Sequence, residues 1–298
     1  MSYADKVYKE LVERIIHEGE MESGDVRPKY IDGTPAYAKR VYNANFTFKP
    51  EDGIPLLQSK RVAIKSFKAE IDWIWRLMSN DVNLLNELGS KVWDSWKLED
   101  GTIGPAYGAA LKNKTRRMMV RADWKDPNAA GIFGEQDLNQ VEYILHEIMH
   151  NPKSRRILTT LYNIEDLSDM ALEPCVFLTN WQVGEDGRLH LFVTQRSADV
   201  ALGLPSNWYE YSLLHHRVAQ VTGREVGNMH WNIFNAHIYD RHLDLLEEQV
   251  NQDLSELEES RARFILPDDK DYFNVSLKEV EIADYQYSKE KFKYEIAV

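Results

Sequence analysis

Glu173-Pro174-Cys175-Val176 and, further along, Gln195-Arg196-Ser197-Ala198-Asp199 are the two stretches that decide how this chain folds. Between them lie two mostly apolar runs, residues 176–183 and 189–193, separated by the turn signal Gly184-Glu185-Asp186-Gly187. Alternating apolar runs joined by a short glycine-containing turn are typical of an antiparallel hairpin. The pattern places Cys175 at the start of one strand and Arg196 just beyond the end of the other. We therefore expect the thiol and the guanidinium to lie close together.

Cys175 is the only cysteine among the 298 residues. A lone cysteine is often an inert, buried, small apolar residue. The alternative is a nucleophile, which needs help to form a thiolate because a free thiol titrates at about 8.5. Arg196 is suitably placed to supply that help. The spacing alone leaves both interpretations open.

Composition excludes several classes of protein. A hydrophobic content of 43%, with eight tryptophans, is sufficient for a sizeable core and argues against a disordered chain. The net charge of −12 argues against a general nucleic-acid or membrane-surface binder, so an anionic ligand requires a local arginine cluster. No uncharged apolar run is long enough to span a membrane, and the first residues lack a signal-peptide core. A single cysteine cannot form an intrachain disulfide, and we expect a cytoplasmic protein, or one of the host cytoplasm if a phage encodes it.

Hydrophobic periodicity predicts the main elements. Helical spacing recurs over residues 5–18, 63–78, 137–149 and 207–223. We expect Asp137 and Asn207 to begin the last two helices. Strand alternation occurs at residues 42–48, and late strands are expected within 254–298. Residues 112–134, which open with a basic run, show no clear periodicity and are predicted to be loop.

Several polar residues have both a structural and a functional interpretation. Glu70, within the helical pattern, is ordinarily a solvated-face residue. Arg27 is either a solvated loop cation or a phosphate ligand, and Asn207 is either a helix cap or a ligand for a polar edge. A metal site at His237 and His242 lacks a supporting ligand cluster, so we expect no metal.

Taken together, Glu-Pro-Cys, the run from Gln195 to Asn207, and His237-Ile238-Tyr239 resemble the thymidylate synthase family. The resemblance extends to four further motifs: Asn151-Pro152-Lys153-Ser154-Arg155-Arg156, Trp93-Asp94, Gly104-Pro105-Ala106-Tyr107-Gly108 and Ile296-Ala297-Val298. It implies an α/β (α+β) fold, with a large mixed β-sheet packed with helices, in a single catalytic domain over residues 1–298. It also implies a homodimer formed through sheet faces.

The resemblance further implies a reaction and its residues. A one-carbon unit passes from 5,10-methylenetetrahydrofolate to C5 of dUMP through a covalent cysteine adduct. The implied catalytic residues are Cys175, Glu70, Tyr107, Arg196 and Asp199, with Glu70 moving protons through ordered water. The implied dUMP ligands are Arg27, Arg155, Arg156, Gln195, Ser197, Asn207, His237 and Tyr239. The implied folate ligands are Trp93, Asp199 and Ala297.

Two of these implied roles are specific. Arg155 and Arg156 cross the dimer interface to complete the partner's phosphate site, for which the arginine fork is well suited. Asn207 reads the O4 and N3–H edge of uracil, so the base is uracil and not cytosine. No membrane or nucleic-acid partner is expected.

The chain departs from the family pattern at a few positions. Val176 replaces the histidine usual after the cysteine, although one bacterial branch also has valine. Ala110 stands in place of a glutamine, and Phe234-Asn235 in place of Gly-Asp; the related dCMP hydroxymethylase also lacks that glutamine and that aspartate. We expect these changes to alter the pocket so that water, and not hydride, completes the reaction.

The favoured reaction is therefore that of a deoxyuridylate hydroxymethyltransferase, with 5-hydroxymethyl-dUMP as product. The alternative is a thymidylate synthase that makes dTMP and dihydrofolate. A minor alternative is an inactive family member that binds nucleotide or RNA.

Overall fold

The computed structural model describes residues 1–125 and 132–298 of the chain. Its strands are β1 (Glu20–Met21), β2 (Ala38–Phe48), β3 (Arg116–Arg121), β4 (Phe133–Leu138), β5 (Leu158–Thr160), β6 (Val176–Val183), β7 (Arg188–Asp199), β8 (Glu225–Tyr239), β9 (Arg263–Ile265) and β10 (Glu281–Ala283). Its helices are α1 (Tyr3–Glu18), α2 (Ile64–Ile71), α3 (Val82–Leu88), α4 (Gly108–Asn113), α5 (Gln140–His150), α6 (Gly203–Val221) and α7 (Leu243–Asn251).

A mixed sheet organises the fold. Among the described residues it has six strands in the order β1-β2-β8-β7-β6-β5. All neighbours are antiparallel except β7 and β8, which run parallel and are joined through α6. Parallel neighbours need such a crossover because a tight turn reverses the direction of the chain and can therefore join only antiparallel strands. The predicted α/β class and large mixed sheet are confirmed.

The hairpin predicted around Cys175 is confirmed, but its second strand is longer than expected. β7 extends to Asp199, so Arg196 lies within the strand and not beyond its end. The reason is that β7 is hydrogen-bonded along both edges, to β6 and to β8. The Arg196 N–H donates to the Cys175 carbonyl at 2.9 Å, which fixes the two residues side by side.

The prediction of loop over residues 112–134 is wrong where the structure describes this segment. Helix α4 ends at Asn113, and β3 and β4 form an antiparallel hairpin with Arg116 opposite Leu138. The hairpin is largely exposed on both faces, so its strands lack the alternating apolar residues on which the prediction depends. Residues 126–131, part of the predicted loop, lie outside the described residues.

Two helices begin at residues other than those predicted. Asn139, not Asp137, caps α5, since its side chain accepts from the Glu142 N–H and the Glu142 carboxylate accepts from the Asn139 N–H. α6 begins at Gly203, which places Asn207 inside the helix and not at its start. Pro205 is compatible with this earlier start because proline is tolerated in the first helical turn.

The predicted helix over residues 63–78 is also different in detail. α2 ends at Ile71 and continues as one wide turn, Asp72–Arg76, in which the Leu77 N–H donates to the Asp72 carbonyl. Such wide turns insert a residue into the helical repeat. Met78 then takes a positive φ of 47° and ends the segment.

The hydrophobic core lies between the sheet and the helices α1, α2, α5 and α6. It is rich in large aromatic side chains that are almost fully buried, among them Trp73, Trp75, Trp181, Trp208 and Trp231. The late strands expected after Leu254 are present as the short pair β9 and β10. Within the described residues, no helix is long and apolar enough to cross a membrane.

Candidate active site

Cys175 is held by its backbone immediately before the first residue of β6. Its N–H donates to the Tyr107 hydroxyl at 3.2 Å, and its carbonyl accepts from the Arg196 N–H. The Arg196 guanidinium donates to the carbonyls of Glu173 and Pro174 at 2.7 and 3.0 Å. These contacts fix the segment before the cysteine, and the residue as a whole is partly buried.

Opposing influences act on the Cys175 thiol. Burial is the largest and raises its pKa, while the positive charge of Arg196 lowers it. Asp199 raises the pKa further and Arg27 lowers it, with a net increase above the ordinary value. The thiol is therefore protonated near neutral pH in this state, and additional positive charge at the site favours the thiolate.

Tyr107 and Trp93 form the wall between the cysteine and Glu70. Tyr107 is buried at the start of α4 with a positive φ of 46°, a strained value for a bulky residue. Gly108 follows it because a Cβ there would meet the Ser79 carbonyl at 2.2 Å. The Tyr107 and Trp93 rings are 5.0 Å apart, and Trp93 Nε1 donates to Glu70 Oε1 at 2.8 Å.

Glu70 faces inward, contrary to the ordinary expectation for a helical glutamate. Burial raises the pKa of its carboxyl to about 7, against the lowering effect of hydrogen bonds from Trp93 and Glu210. A carboxyl with such a pKa exchanges protons readily at neutral pH, as general acid–base chemistry requires.

Glu210, on α6, is a site residue that the sequence analysis missed. Its side chain is 3% exposed and interacts electrostatically with the Glu70 carboxyl. Burial and the negative charge of Glu70 hold the pKa of the Glu210 carboxyl well above its usual range. The available signal was its position one helical turn after Asn207, within the run Leu204–Leu214 of an otherwise largely apolar helix.

A directed chain of hydrogen bonds connects the sheet to this carboxyl pair. Trp231 Nε1 donates to Gln195 Oε1 at 2.8 Å, and Gln195 Nε2 donates to Asn207 Oδ1 at 2.9 Å. Asn207 Nδ2 in turn donates to Glu210 Oε2 at 3.1 Å. The chain fixes which end of the Asn207 amide is oxygen and which is nitrogen.

The ends of β7 and β8 bring the remaining sheet residues together. In the parallel register Asp199 is opposite His237, and Ser197 Oγ lies 3.3 Å from His237 Nδ1. The rings of His237 and Tyr239 are 5.2 Å apart on the same face. Burial lowers the pKa of His237, so its imidazole is neutral at physiological pH.

Asp199 continues from the strand into the turn before α6. Its Oδ1 accepts from the N–H groups of Ala201 and Leu202 at 2.9 and 3.3 Å. Its charge acts on the Cys175 thiol and on the His237 and Tyr239 rings, so the carboxylate faces the same site.

Arg27 approaches the site from an exposed loop after β1. Its charge lowers the pKa of both the Cys175 thiol and the Tyr239 hydroxyl. Lys29, two residues later, exchanges both backbone hydrogen bonds with Val298 at 2.9 Å, so the Arg27 loop is tied to the final residues around Ala297.

Arg155 and Arg156 are not brought into this site. Both are exposed, in the segment between α5 and β5, and within the described residues their side chains have no hydrogen bond or ion pair. The candidate metal residues also point elsewhere: His242 Nε2 contacts the Glu295 carbonyl, and Asp240 accepts from the Tyr30 hydroxyl. Across residues 1–125 and 132–298, no group of three acidic, histidine or cysteine side chains could hold a metal ion.

The positions that depart from the family pattern lie largely away from the pocket. Ala110 is 1% exposed and packs in the hydrophobic core within α4. Phe234 is 49% exposed and contacts Phe177, with ring centroids 5.9 Å apart. Strand alternation places it on the face of β8 opposite to His237. Only Asn235, paired with Ser197, lies on the face of the candidate site.

Comparison with known proteins identifies the family. A family model described as Thymidylate synthase matches residues 6–298. This chain belongs to the thymidylate synthase family. It is 42% identical over 295 residues to the thymidylate synthase of Fusobacterium nucleatum subsp. nucleatum, which covers 99% of this chain and 98% of that protein. It is 41% identical to the thymidylate synthase of Bacillus phage phi3T, with both proteins fully covered.

A solved structure agrees with these matches. The thermostable thymidylate synthase A from Bacillus subtilis has a TM-score of 0.86 and 39% identity, over 99% of each chain. The resemblance drawn from the motifs is thus confirmed, and the family is one of one-carbon transferases that use 5,10-methylenetetrahydrofolate. The names of these relatives favour the synthase alternative and do not support the hydroxymethyltransferase that the departures led us to expect.

Proposed function

We propose that this protein is a thymidylate synthase, which converts dUMP to dTMP and releases dihydrofolate. The observation that carries the proposal is identity of about 40% over the full length to proteins with that name. When bound, 5,10-methylenetetrahydrofolate supplies both the carbon unit and the hydride. The proposed catalytic domain spans residues 1–298, and we infer a cytoplasmic location from the single cysteine.

Cys175 is the proposed nucleophile at C6 of uracil. The attack requires a thiolate, which Arg196 and Arg27 favour electrostatically against the effect of burial. The Tyr107 hydroxyl positions the cysteine backbone, and Glu70 takes and returns protons on the base because its pKa is about 7. Arg27 and Arg196 also neutralise the nucleotide phosphate.

Asn207 is the proposed reader of the base. Its amide uses one lone pair and one N–H inside the protein, so one acceptor and one donor remain for N3–H and O4. Gln195 and Ser197 position Asn207 and His237. His237 and Tyr239 are the proposed ligands of the sugar hydroxyl.

The folate site is assigned to Trp93, Asp199 and Ala297. The Asp199 carboxylate fits a pterin because it has a free acceptor oxygen. Two backbone N–H groups donate to Oδ1, whereas among the described residues no protein donor contacts Oδ2. Oδ2 is thus available to a ligand N–H. Trp93 supplies a buried aromatic surface, and Ala297 lies beside the Arg27 loop.

A homodimer through sheet faces is the proposed assembly. The sheet face that carries Phe234 also carries the stacked rings of Phe192 and His230, whose centroids are 4.4 Å apart. Partly exposed aromatic side chains grouped on one face are typical of an interaction surface. This location gives Phe234 a role at an interface, so it no longer argues for an altered cofactor pocket.

Product analysis tests the proposed function. We expect dUMP and 5,10-methylenetetrahydrofolate to give dTMP and dihydrofolate in equal amounts, measured by mass spectrometry and by dihydrofolate absorbance. Cys175→Ser, which replaces sulfur with a much weaker nucleophile, should abolish turnover while dUMP still binds. Formation of 5-hydroxymethyl-dUMP with tetrahydrofolate would identify the hydroxymethyltransferase instead.

A further inference from the structure

The carboxyl pair Glu70 and Glu210 is unusual because the buried Glu210 carboxyl lies against that of the partly buried Glu70. The other titratable groups that act on the pair are phenols: Tyr107 beside Glu70, and Tyr209 and Tyr211 beside Glu210. In the described chain no lysine, arginine or histidine contributes to the pKa of either carboxyl. Two adjacent carboxylates without a cation are unfavourable, so the pair retains a proton at neutral pH.

The hydrogen bonds indicate which carboxyl carries this proton. Glu70 Oε1 already accepts from Trp93, and Glu210 Oε2 accepts from Asn207. Glu210 Oε1 is buried and receives no hydrogen bond from any residue that the structure describes. A buried acceptor without a donor is costly, whereas a protonated Oε1 becomes a donor to Glu70 and removes that cost.

We propose that Glu210 is a positioning residue that remains protonated, donates to Glu70 and accepts from Asn207, and so couples the proton-transfer group to the group that reads the base. On this assignment the Glu70 carboxylate can accept protons, and the Asn207 amide is held with Oδ1 toward Gln195 and Nδ2 toward Glu210. The amide orientation, and with it the preference for uracil over cytosine, depends on the Glu210 proton. This inference rests on the proposed binding of a uracil nucleotide.

Glu210→Gln is the decisive variant, because glutamine imitates a protonated glutamate. Its Oε1 accepts from Asn207 and its Nε2 donates to Glu70. We expect Glu210→Gln to bind dUMP within about threefold of the wild type and to keep its preference over dCMP. Glu210→Met, which has neither group, should weaken dUMP binding at least about tenfold and reduce the preference, because a buried polar group loses its partner.

Calorimetric titration with dUMP and dCMP measures these effects without turnover. Glu147→Gln is the matched control, since Glu147 is also buried but lies on α5 beside His146 and Asn151. Loss of dUMP binding in Glu210→Gln equal to that in Glu210→Met would overturn the proposal, because it would mean that Glu210 acts as a charged group. Absence of dUMP binding by the wild type would instead refute the proposed function.

Infrared difference spectroscopy gives a second measurement that does not depend on folding of Glu210→Met. The wild type at pH 9, where Glu70 with its pKa of about 7 is ionised, should still show the C=O band of a protonated carboxyl, which Glu210→Gln lacks and Glu147→Gln retains. A band that persists unchanged in Glu210→Gln would assign the proton elsewhere and overturn the proposal. In the pH profile of turnover, Glu210→Met should shift the acidic limb to higher pH, because Glu70 loses a hydrogen bond that lowers its pKa.

Discussion

Glu70, the proposed proton-transfer group, shows how a carboxyl at a candidate site can lower stability. Its pKa is about 7 in the folded protein, against about 4.3 in an unfolded chain. Between these two values the folded state binds more protons than the unfolded state. The linkage relation then makes the free energy of unfolding fall as pH rises through this window, because the folded carboxyl must ionise in a buried position.

We therefore expect Glu70→Gln to gain stability relative to the wild type as pH rises from 5 to 8. The difference is at most about 3 kcal/mol, since each pKa unit corresponds to about 1.4 kcal/mol. Urea unfolding at several pH values measures it, and the exposed Glu247→Gln serves as control. A difference that is the same at pH 5 and pH 8 would contradict the raised pKa.

Asp72 governs the wide turn that follows α2. Its carboxylate is fully buried and binds Arg76 through two hydrogen bonds of 2.6 and 2.7 Å. It also accepts from the Ser276 hydroxyl and the Leu277 N–H at 2.9 and 2.8 Å, which ties the turn to the C-terminal region. Because Glu70 lies two residues earlier, this anchor helps to fix the position of the proposed catalytic carboxyl.

Removal of this anchor should destabilise the protein strongly. We expect Asp72→Ala to lower the free energy of unfolding by about 3–5 kcal/mol, because Arg76 is left as a largely buried, unpaired charge. Chemical denaturation monitored by tryptophan fluorescence measures the loss. Asp268→Ala, at an exposed aspartate, should change stability by less than about 0.5 kcal/mol. Equal effects of the two substitutions would show that the anchor is not structural.

The elements differ in how far the sequence predicts them. The hairpin between Cys175 and Arg196 was predictable because its apolar alternation and turn are local signals. The start of α6 was not predictable. Proline is tolerated only in the first turn of a helix, so Pro205 fits the helix only once the start of the helix is known. The wide turn at Asp72 was not predictable, because two of the hydrogen bonds to the Asp72 carboxylate come from residues more than 200 positions away. Glu210 could not be assigned because its partner, Glu70, belongs to another helix.

At the scale of the whole molecule, a single chain does not explain how two arginines reach the proposed phosphate site. Arg155 and Arg156 are exposed. Among the described residues, their side chains form no ion pair and do not contact Cys175. With a net charge of −12, local arginines are needed to hold a phosphate. The proposed second subunit, packed on the sheet face that carries Phe234, Phe192 and His230, accounts for both facts. Its arginines would then complete the first subunit's site.

Subunit mixing tests this arrangement. Arg156→Ala and Cys175→Ser homodimers should each be nearly inactive, because every site lacks one group. A heterodimer has one site with both groups intact, so equal mixing should restore roughly a quarter of wild-type activity after random exchange. Assays of dTMP formation after verified exchange measure the recovery, and Lys153→Ala controls for loss of a neighbouring exposed cation. No recovery would exclude shared sites.

Because Cys175 is the only cysteine of the chain, a thiol reagent can count the candidate active centres. A disulfide reagent such as Ellman's consumes one equivalent per unfolded chain, and each equivalent taken up by the native protein corresponds to one centre whose cysteine is accessible and reduced. The native reading divided by the concentration of chains gives the fraction of intact centres in a preparation before any substrate is added. Specific activities of variants and heterodimers can then be expressed per working centre instead of per milligram of protein.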